Sequence, residues 1–246
     1  MKPVMNIAAY RFVTLTETAR WREGIHSQAQ ALNLKGTVLL ADEGINLVLA
    51  GHEAEVRRFL GWLGTSDAFA GIDVKESRSD EIPFARLVVK VKREIIRMNH
   101  PQVRPQTARA PALDARTLAR WLTAGHDDAG REVVTLDTRN AFEIEHGRFR
   151  GAHDWRLAKF SDFPAALAAR HTELAGKTVV SYCTGGIRCE KAALLMREAG
   201  LAHVWQLDGG ILKYLEETDG AHFEGNCFVF DQREALDLAL APKVQV

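Results

Sequence analysis

The chain has 246 residues, 46% apolar and 26% charged, which is the composition of a folded globular protein and excludes a disordered one. Lys plus Arg and Asp plus Glu each total 32, so no overall electrostatic bias announces nucleic acid or membrane, and any basic surface must be local. The three cysteines, Cys183, Cys189 and Cys227, are odd in number and unsuited to a disulfide framework, no CxxC or HxxxH pair offers a metal site, and neither a signal peptide nor a spanning segment is visible, so a cytoplasmic protein is expected.

Residues 6–13 read as a strand, 16–34 as a helix with Trp21, Ile25 and Leu32 on one side, and 36–41 as a strand. Residues 41–46 form a turn leading to a strand at 47–51. Its Asp42, Glu43 and Asn46 are turn-forming types that also suit a polar pocket. Val56, Phe59, Leu60 and Leu63 give helical spacing over 52–63, and 72–76 is a last strand. The order β-α-β-β-α-β predicts a ferredoxin-like (acylphosphatase-like) α+β sandwich over residues 1–97.

Next comes a strand in which basic Arg86, Lys90 and Lys92 alternate with apolar Leu87, Val89 and Val91, followed by Arg93 and Arg97 and, further on, Arg104 and Arg109. Alternation puts the apolar set in a core and offers the basic set outward. A lysine-protected sheet edge accounts for the pattern as well as an RNA-facing stripe does. Pro101, Pro105 and Pro111 punctuate the chain beyond this strand, so residues 98–125 are assigned to a linker and a helix.

A strand at 132–139, a variable loop, a helix at 164–174, a fully apolar strand at 178–183, a helix at 191–200, a strand at 203–209 and a helix at 210–218 then alternate. This predicts an α/β domain with a parallel sheet over 126–222, with 223–246 as a C-terminal extension.

The chemistry concentrates in Cys183-Thr184-Gly185-Gly186-Ile187-Arg188, at the carboxyl end of a buried strand, where α/β folds place ligands. Gly185 and Gly186 are expected to let the backbone curl with its N–H groups inward. The following helix adds its positive end, and Arg188 is expected to satisfy several loop acceptors with its fork. A thiol so placed falls from roughly 8.5 to roughly 3.5–7.5, which makes Cys183 the expected nucleophile. Cys189 is a resolving thiol or a buried residue, with packing favoured, and Cys227 is expected to pack. Asp137 and Arg139 invite a catalytic role, but capping and ion pairing are favoured for them, and His171 and His222 are expected to be exposed.

LDTRNAFE, GRFRGAHD, YCTGGIRC and LDGGI together resemble the rhodanese domain, through Asp137 and Arg139, residues 147–152, the loop 183–188, and Gly209 and Gly210. That resemblance implies a cysteine persulfide carried on Cys183, and a sulfurtransferase. The loop holds one residue fewer between Cys and Arg than Cys-dependent phosphatases use, which suits a terminal sulfur.

A wider set, KGTVLLADEGINLVLAG, IPFARLVVKVKREI, DTRNAFE, YCTGGIRCEKAALLM, GGILKYLEE and EGNCFVFDQR, is similar to the bacterial tRNA uridine(34) hydroxylase family over nearly the whole chain. This resemblance implies an oxidoreductase that converts the wobble uridine of tRNA to 5-hydroxyuridine with a rhodanese-type cysteine. It implies tRNA as partner, and O2 with an unidentified electron donor where no cofactor is evident in the sequence. It also tips Arg86, Lys90, Lys92, Arg93 and Arg97 toward tRNA contact. The family's Gly-His is here Gly147-Arg148 with His146 before it, the stretch before the rhodanese part lacks the usual Pro and Trp spacing, and a short form without the cysteine-bearing tail is expected. The alternatives are a persulfide or thiosulfate sulfurtransferase and an idle rhodanese module; intact Cys183 and Arg188 argue against idleness.

Overall fold

A computed structural model describes residues 4–242 and separates them into two compact units. The first holds the described residues up to Arg97 together with Phe230–Arg233, and the second holds 98–229 and the described residues from Glu234 onward.

The first unit runs β1 (Val4–Phe12), α1 (Thr18–Ala31), β2 (Lys35–Ala41), β3 (Gly44–His52), α2 (Glu53–Leu63), β4 (Val74–Ser79) and β5 (Leu87–Val91). Its sheet order is β4-β1-β3-β2-β5, with β3 antiparallel to β1 and β2, and β4 antiparallel to β1. This is the expected ferredoxin-like arrangement with one strand added, because β5 pairs in parallel along β2 and forms the sheet edge. Ile45, Leu47 and Leu49 alternate inward with Val38 and Leu40, and Ile25 and Ala29 of α1 and Val56, Phe59 and Leu63 of α2 close over them. Each such large side chain contributes about 1.5–3 kcal/mol by leaving water. The hairpin is tighter than expected: β3 begins at Gly44, whose φ of 142° lets the chain pass Arg11 O, 2.0 Å from where a Cβ would lie.

The second unit contains β6 (Ala112–Leu113), α3 (Ala115–Ala124), β7 (Val133–Asp137), α4 (Ala141–Ile144), β8 (Gly147–Phe149), β9 (His153–Asp154), α5 (Phe163–Arg170), β10 (Thr178–Tyr182), α6 (Ile187–Glu198), β11 (Val204–Leu207) and α7 (Gly210–Glu217). β12 (Phe223–Gly225), β13 (Cys227–Phe228) and β14 (Ala235–Leu236) complete it. The main sheet, β6-β11-β10-β7-β9, is parallel throughout. Every residue of its middle strand β10 is buried, Thr178 and Ser181 included, which is why its sequence shows no alternation of inward apolar and outward charged residues. Asp114 caps α3, its Oδ1 accepting the Thr117 N–H at 2.9 Å, and Gly125 ends that helix at φ 77°.

Three expectations are corrected by this unit. The variable loop is structured as α4, β8 and β9; the helix expected over 164–174 gives way to a 3-10 turn at His171–Leu174; and the extension supplies β12, which pairs with β8, and the β13–β14 ladder.

Candidate active site

β10 ends at Tyr182, and the chain turns at once into the loop, so Cys183 stands at the carboxyl end of the middle strand. Gly186, at φ 95°, makes the turn, and α6 starts at Ile187, four residues earlier than its sequence pattern indicates. The helix N-terminus therefore lies inside the loop. The Gly186 N–H donates to Cys183 Sγ at 3.2 Å, and the Arg188 N–H donates to the same sulfur. Gly185 is not needed for the turn: its φ is not positive, and a Cβ there would meet nothing within 4 Å.

The loop carbonyls are held from the other side. Ile211 N–H donates to Cys183 O at 2.9 Å and Leu212 N–H to Thr184 O at 3.0 Å, both from the first turn of α7. With its carbonyls drawn to α7, the loop turns its N–H groups toward the sulfur. Gly210 permits this approach, because a Cβ there would lie 2.4 Å from Cys183 O and 2.7 Å from Gly186 N.

Burial pushes the Cys183 thiol up, but the Cys189 thiol, the Arg188 charge and the two backbone N–H groups outweigh it and bring it down to about 6. Cys189 moves the opposite way, held well above the usual thiol value by burial and by its hydrogen bond to a charged Cys183. Cys189 therefore keeps its proton and donates it to the thiolate. Its own sulfur lies 3.7 Å from Thr138 Oγ1, which donates to Tyr182 O at 2.9 Å. Cys227 is buried and pushed up to about 12, mainly by burial, as befits a packing residue.

Arg188 corrects an expectation. Its fork does not serve loop acceptors: Nη1 and Nη2 bind the two oxygens of Glu143 at 2.6 and 2.7 Å, with both side chains buried. Glu143 is the third residue of α4, and its Oε2 also accepts the Asn140 N–H at 3.0 Å, so one carboxylate caps α4 and anchors the arginine. Among the described residues, Arg188 Nε has no partner. Sequence reasoning passed over Glu143, although the Asn-x-x-Glu cap spacing and the need of a buried arginine for an acid both pointed to it.

Residues 4–95 match the UPF0176 acylphosphatase-like domain and residues 110–217 match the rhodanese-like domain. Over 99% of its length the chain is 61% identical to the tRNA uridine(34) hydroxylase of Bordetella pertussis, covering all of that protein. Proteins of that name from Delftia acidovorans (59% identity, 98% of this chain and 93% of that one) and Ralstonia nicotianae (55%, 97% and 85%) are also similar. The chain belongs to the tRNA uridine(34) hydroxylase family.

In this family member Asp137 and Arg139 form a fully buried pair, Nη2 to Oδ2 at 2.6 Å. Arg139 also donates to Gly147 O at 2.7 Å and lies over the Tyr182 ring, so the pair ties the end of β7 to β8 beneath the loop. Arg148, in the family's histidine position, is half exposed and lies 3.9 Å from Asp154, while the His146 ring rests on Phe228 with centroids 5.1 Å apart. His171 is exposed, and His222 is half-buried with Nε2 2.8 Å from Thr123 Oγ1.

Glu43 Oε1 accepts the Ile95 N–H at 2.7 Å and Asn46 donates to Ile95 O at 3.2 Å, so the polar turn clamps the chain leaving β5. Asp42 contributes its carbonyl, which accepts the Leu15 N–H at 2.9 Å. Arg86, Lys90, Lys92, Arg93 and Arg97 are all exposed and all belong to the first unit. The expected alternation fails at its end, because Val91 is 42% exposed and the core stops at Val89. Arg109 leaves the basic stripe, since it binds Glu190 at 3.0 Å in the second unit. No cluster of metal-ligating side chains occurs among the described residues, and none of their helices is long and apolar enough to cross a membrane.

Proposed function

We propose that this protein hydroxylates the wobble uridine of tRNA at C5, with Cys183 as the reacting group and O2 as the source of the oxygen. The observation that carries the reading is the cradled thiolate: a buried sulfur that accepts backbone N–H groups and a thiol, in a chain whose full-length relatives are named tRNA uridine(34) hydroxylases. A thiolate adds to C6 of uracil and breaks the C5=C6 π bond, so the electron pair moves to C5. C5 then bonds to O2, a two-electron donor and three protons reduce the resulting peroxide anion to the hydroxyl with release of water, and loss of the C5 proton expels the thiolate and restores the double bond. The sum is uridine, O2, two electrons and two protons giving 5-hydroxyuridine and water.

The role of Cys189 derives from its bond to Cys183: it stabilises the thiolate before attack and after its expulsion. The exposed Arg86, Lys90, Lys92, Arg93 and Arg97 supply phosphate contacts that hold the tRNA, and the substrate places the reaction in the cytoplasm. Nucleoside analysis of tRNA from a strain lacking the gene tests the reading. It is expected to show loss of 5-hydroxyuridine and of nucleosides derived from it. Unchanged 5-hydroxyuridine together with loss of thiolated nucleosides would instead make this a sulfurtransferase.

A further inference from the structure

We propose that Cys189 and Cys183 together supply the two electrons that reduce the peroxide, and that each cycle closes with a disulfide between them, which an external dithiol reopens. The proposal rests on the hydroxylase reading and names the electron donor that the reading leaves open.

Gly186 serves both cysteines. Its N–H donates to Cys183 Sγ at 3.2 Å and its carbonyl accepts the Cys189 N–H at 3.0 Å, so the first turn of α6 carries Cys189 back to the loop. From just beyond β7, Thr138 fixes the other side. Its Oγ1 lies 3.7 Å from Cys189 Sγ and donates at 2.9 Å to the carbonyl of Tyr182, the residue before Cys183. Held between these anchors, the Cys189 thiol donates to the Cys183 sulfur, and both side chains are buried. Cys227, the third cysteine, donates instead to the Phe228 carbonyl at 3.8 Å. A hydroxyl would donate to the thiolate as a thiol does; a thiol adds the capacity to be oxidised. Sulfurs in hydrogen-bond contact need only lose the shared proton and close to about 2.05 Å to become a disulfide.

Charge sets the timing. Burial, and after it the bond to a charged Cys183, keep Cys189 protonated. When Cys183 bonds to C6 that charge is gone, and the Thr138 hydroxyl and the Arg188 guanidinium then favour a thiolate on Cys189. The Cys189 proton passes to the peroxide anion on C5, one carbon away from the one that holds the Cys183 sulfur. The Cys189 thiolate attacks the outer oxygen: an S–O bond forms, the O–O bond breaks, and the inner oxygen stays on C5 and takes a proton. Loss of the C5 proton expels Cys183 as a thiolate, which attacks the sulfenic sulfur of Cys189. The S–S bond forms, and hydroxide leaves with a proton as water. Uridine, O2 and the two thiols give 5-hydroxyuridine, water and the disulfide. The opening that admits the base to Cys183 then admits a dithiol, which reduces the disulfide by exchange and is itself oxidised.

The test uses the full-length protein, reduced, freed of reductant and mixed in air with an excess of unmodified tRNA carrying uridine at position 34. 5-Hydroxyuridine is counted by mass spectrometry. The disulfide is read after trypsin as peptide 178–188 joined to peptide 189–191, since cleavage after Arg188 separates the two cysteines. Wild type is expected to form about one 5-hydroxyuridine per chain with an equal amount of that disulfide, and dithiothreitol should restart it. Cys189→Ser keeps a donor to the sulfur, so its Cys183 thiolate should titrate as in wild type while its product without dithiol falls to the protein-free level. Wild type that forms product with both thiols still free overturns the proposal and leaves Cys189 a hydrogen-bond donor only, as does Cys189→Ser with wild-type yield. Disulfide that appears as fast without tRNA overturns it too, because O2 alone would then be the oxidant. All three results leave the hydroxylase reading untouched. Absence of 5-hydroxyuridine from wild type even with dithiothreitol overturns that reading, and the proposal with it.

Discussion

Gly210→Ala tests whether α7 holds the reactive loop in shape. Gly210 sits at φ 66°, and a Cβ there would lie 2.4 Å from Cys183 O, 2.7 Å from Gly186 N and 2.8 Å from Thr184 O, all backbone atoms that cannot swing aside. Ordinary contact begins at 3.4 Å, so loop and helix must separate by about 1 Å, more than the bonds from Ile211 and Leu212 tolerate. Losing these two hydrogen bonds costs about 1 kcal/mol each, and a left-handed alanine adds roughly 1 kcal/mol. The sum, about 3 kcal/mol, lowers the melting temperature by roughly 6–12 °C. Displacement of a reacting group by about 1 Å costs on the order of 100-fold in rate. The assay is hydroxylation of tRNA at a temperature where circular dichroism shows the variant folded, with Gly185→Ala as control, since its methyl enters open space at an ordinary φ. Wild-type turnover and melting in Gly210→Ala would refute the coupling of α7 to the loop.

Thiolate absorbance, taken as wild type minus Cys183→Ser, should titrate with a midpoint near about 6, and Cys189→Ala should raise it by removing a donor, whereas a midpoint above 8 in wild type contradicts the cradle. Because the folded value is depressed, the stability contributed by Cys183 is complete above the unfolded thiol value of about 8.5 and is lost as pH falls through about 6. The melting-temperature gap to Cys183→Ala should shrink over that window. Arg188→Lys should lower stability by roughly 1.5–3 kcal/mol, because an ammonium keeps the charge and forfeits one of two charge-assisted bonds to Glu143; denaturant unfolding that matches wild type would show that charge alone suffices. Replacing Arg86, Lys90 and Lys92 by Gln should weaken tRNA binding and lower its salt slope by about 0.7–0.9 per lost phosphate contact, with melting nearly unchanged because exposed charges contribute less than about 1 kcal/mol each. An unaltered slope would make them a solvated sheet edge.

The sandwich and the position of Cys183 were legible because both rest on local pattern: alternation in β2 and β3, helical spacing in α2, and an apolar strand running straight into Cys-x-x-Gly. What stayed hidden depends on partners distant in sequence. The pairing of β5 with β2 joins residues about fifty apart, and nothing local reveals that Val91 has left the core. Arg188 reads as a loop residue until Glu143, 45 positions earlier, takes both its nitrogens. Gly185 and Gly186 look equivalent in sequence, yet only Gly186 has the backbone angle that demands glycine. Cys189 reads as packing because burial is its commonest fate, and its contact with Cys183 arises only from the early start of α6.

The central claim, that Cys183 is the group through which this protein hydroxylates tRNA, is tested most directly by mass spectrometry of tRNA nucleosides from a strain lacking the gene and carrying either wild type or Cys183→Ser at equal expression. Wild type should restore 5-hydroxyuridine and its derivatives, and Cys183→Ser should leave them at the level of the empty strain. Restoration of 5-hydroxyuridine by Cys183→Ser would contradict the account.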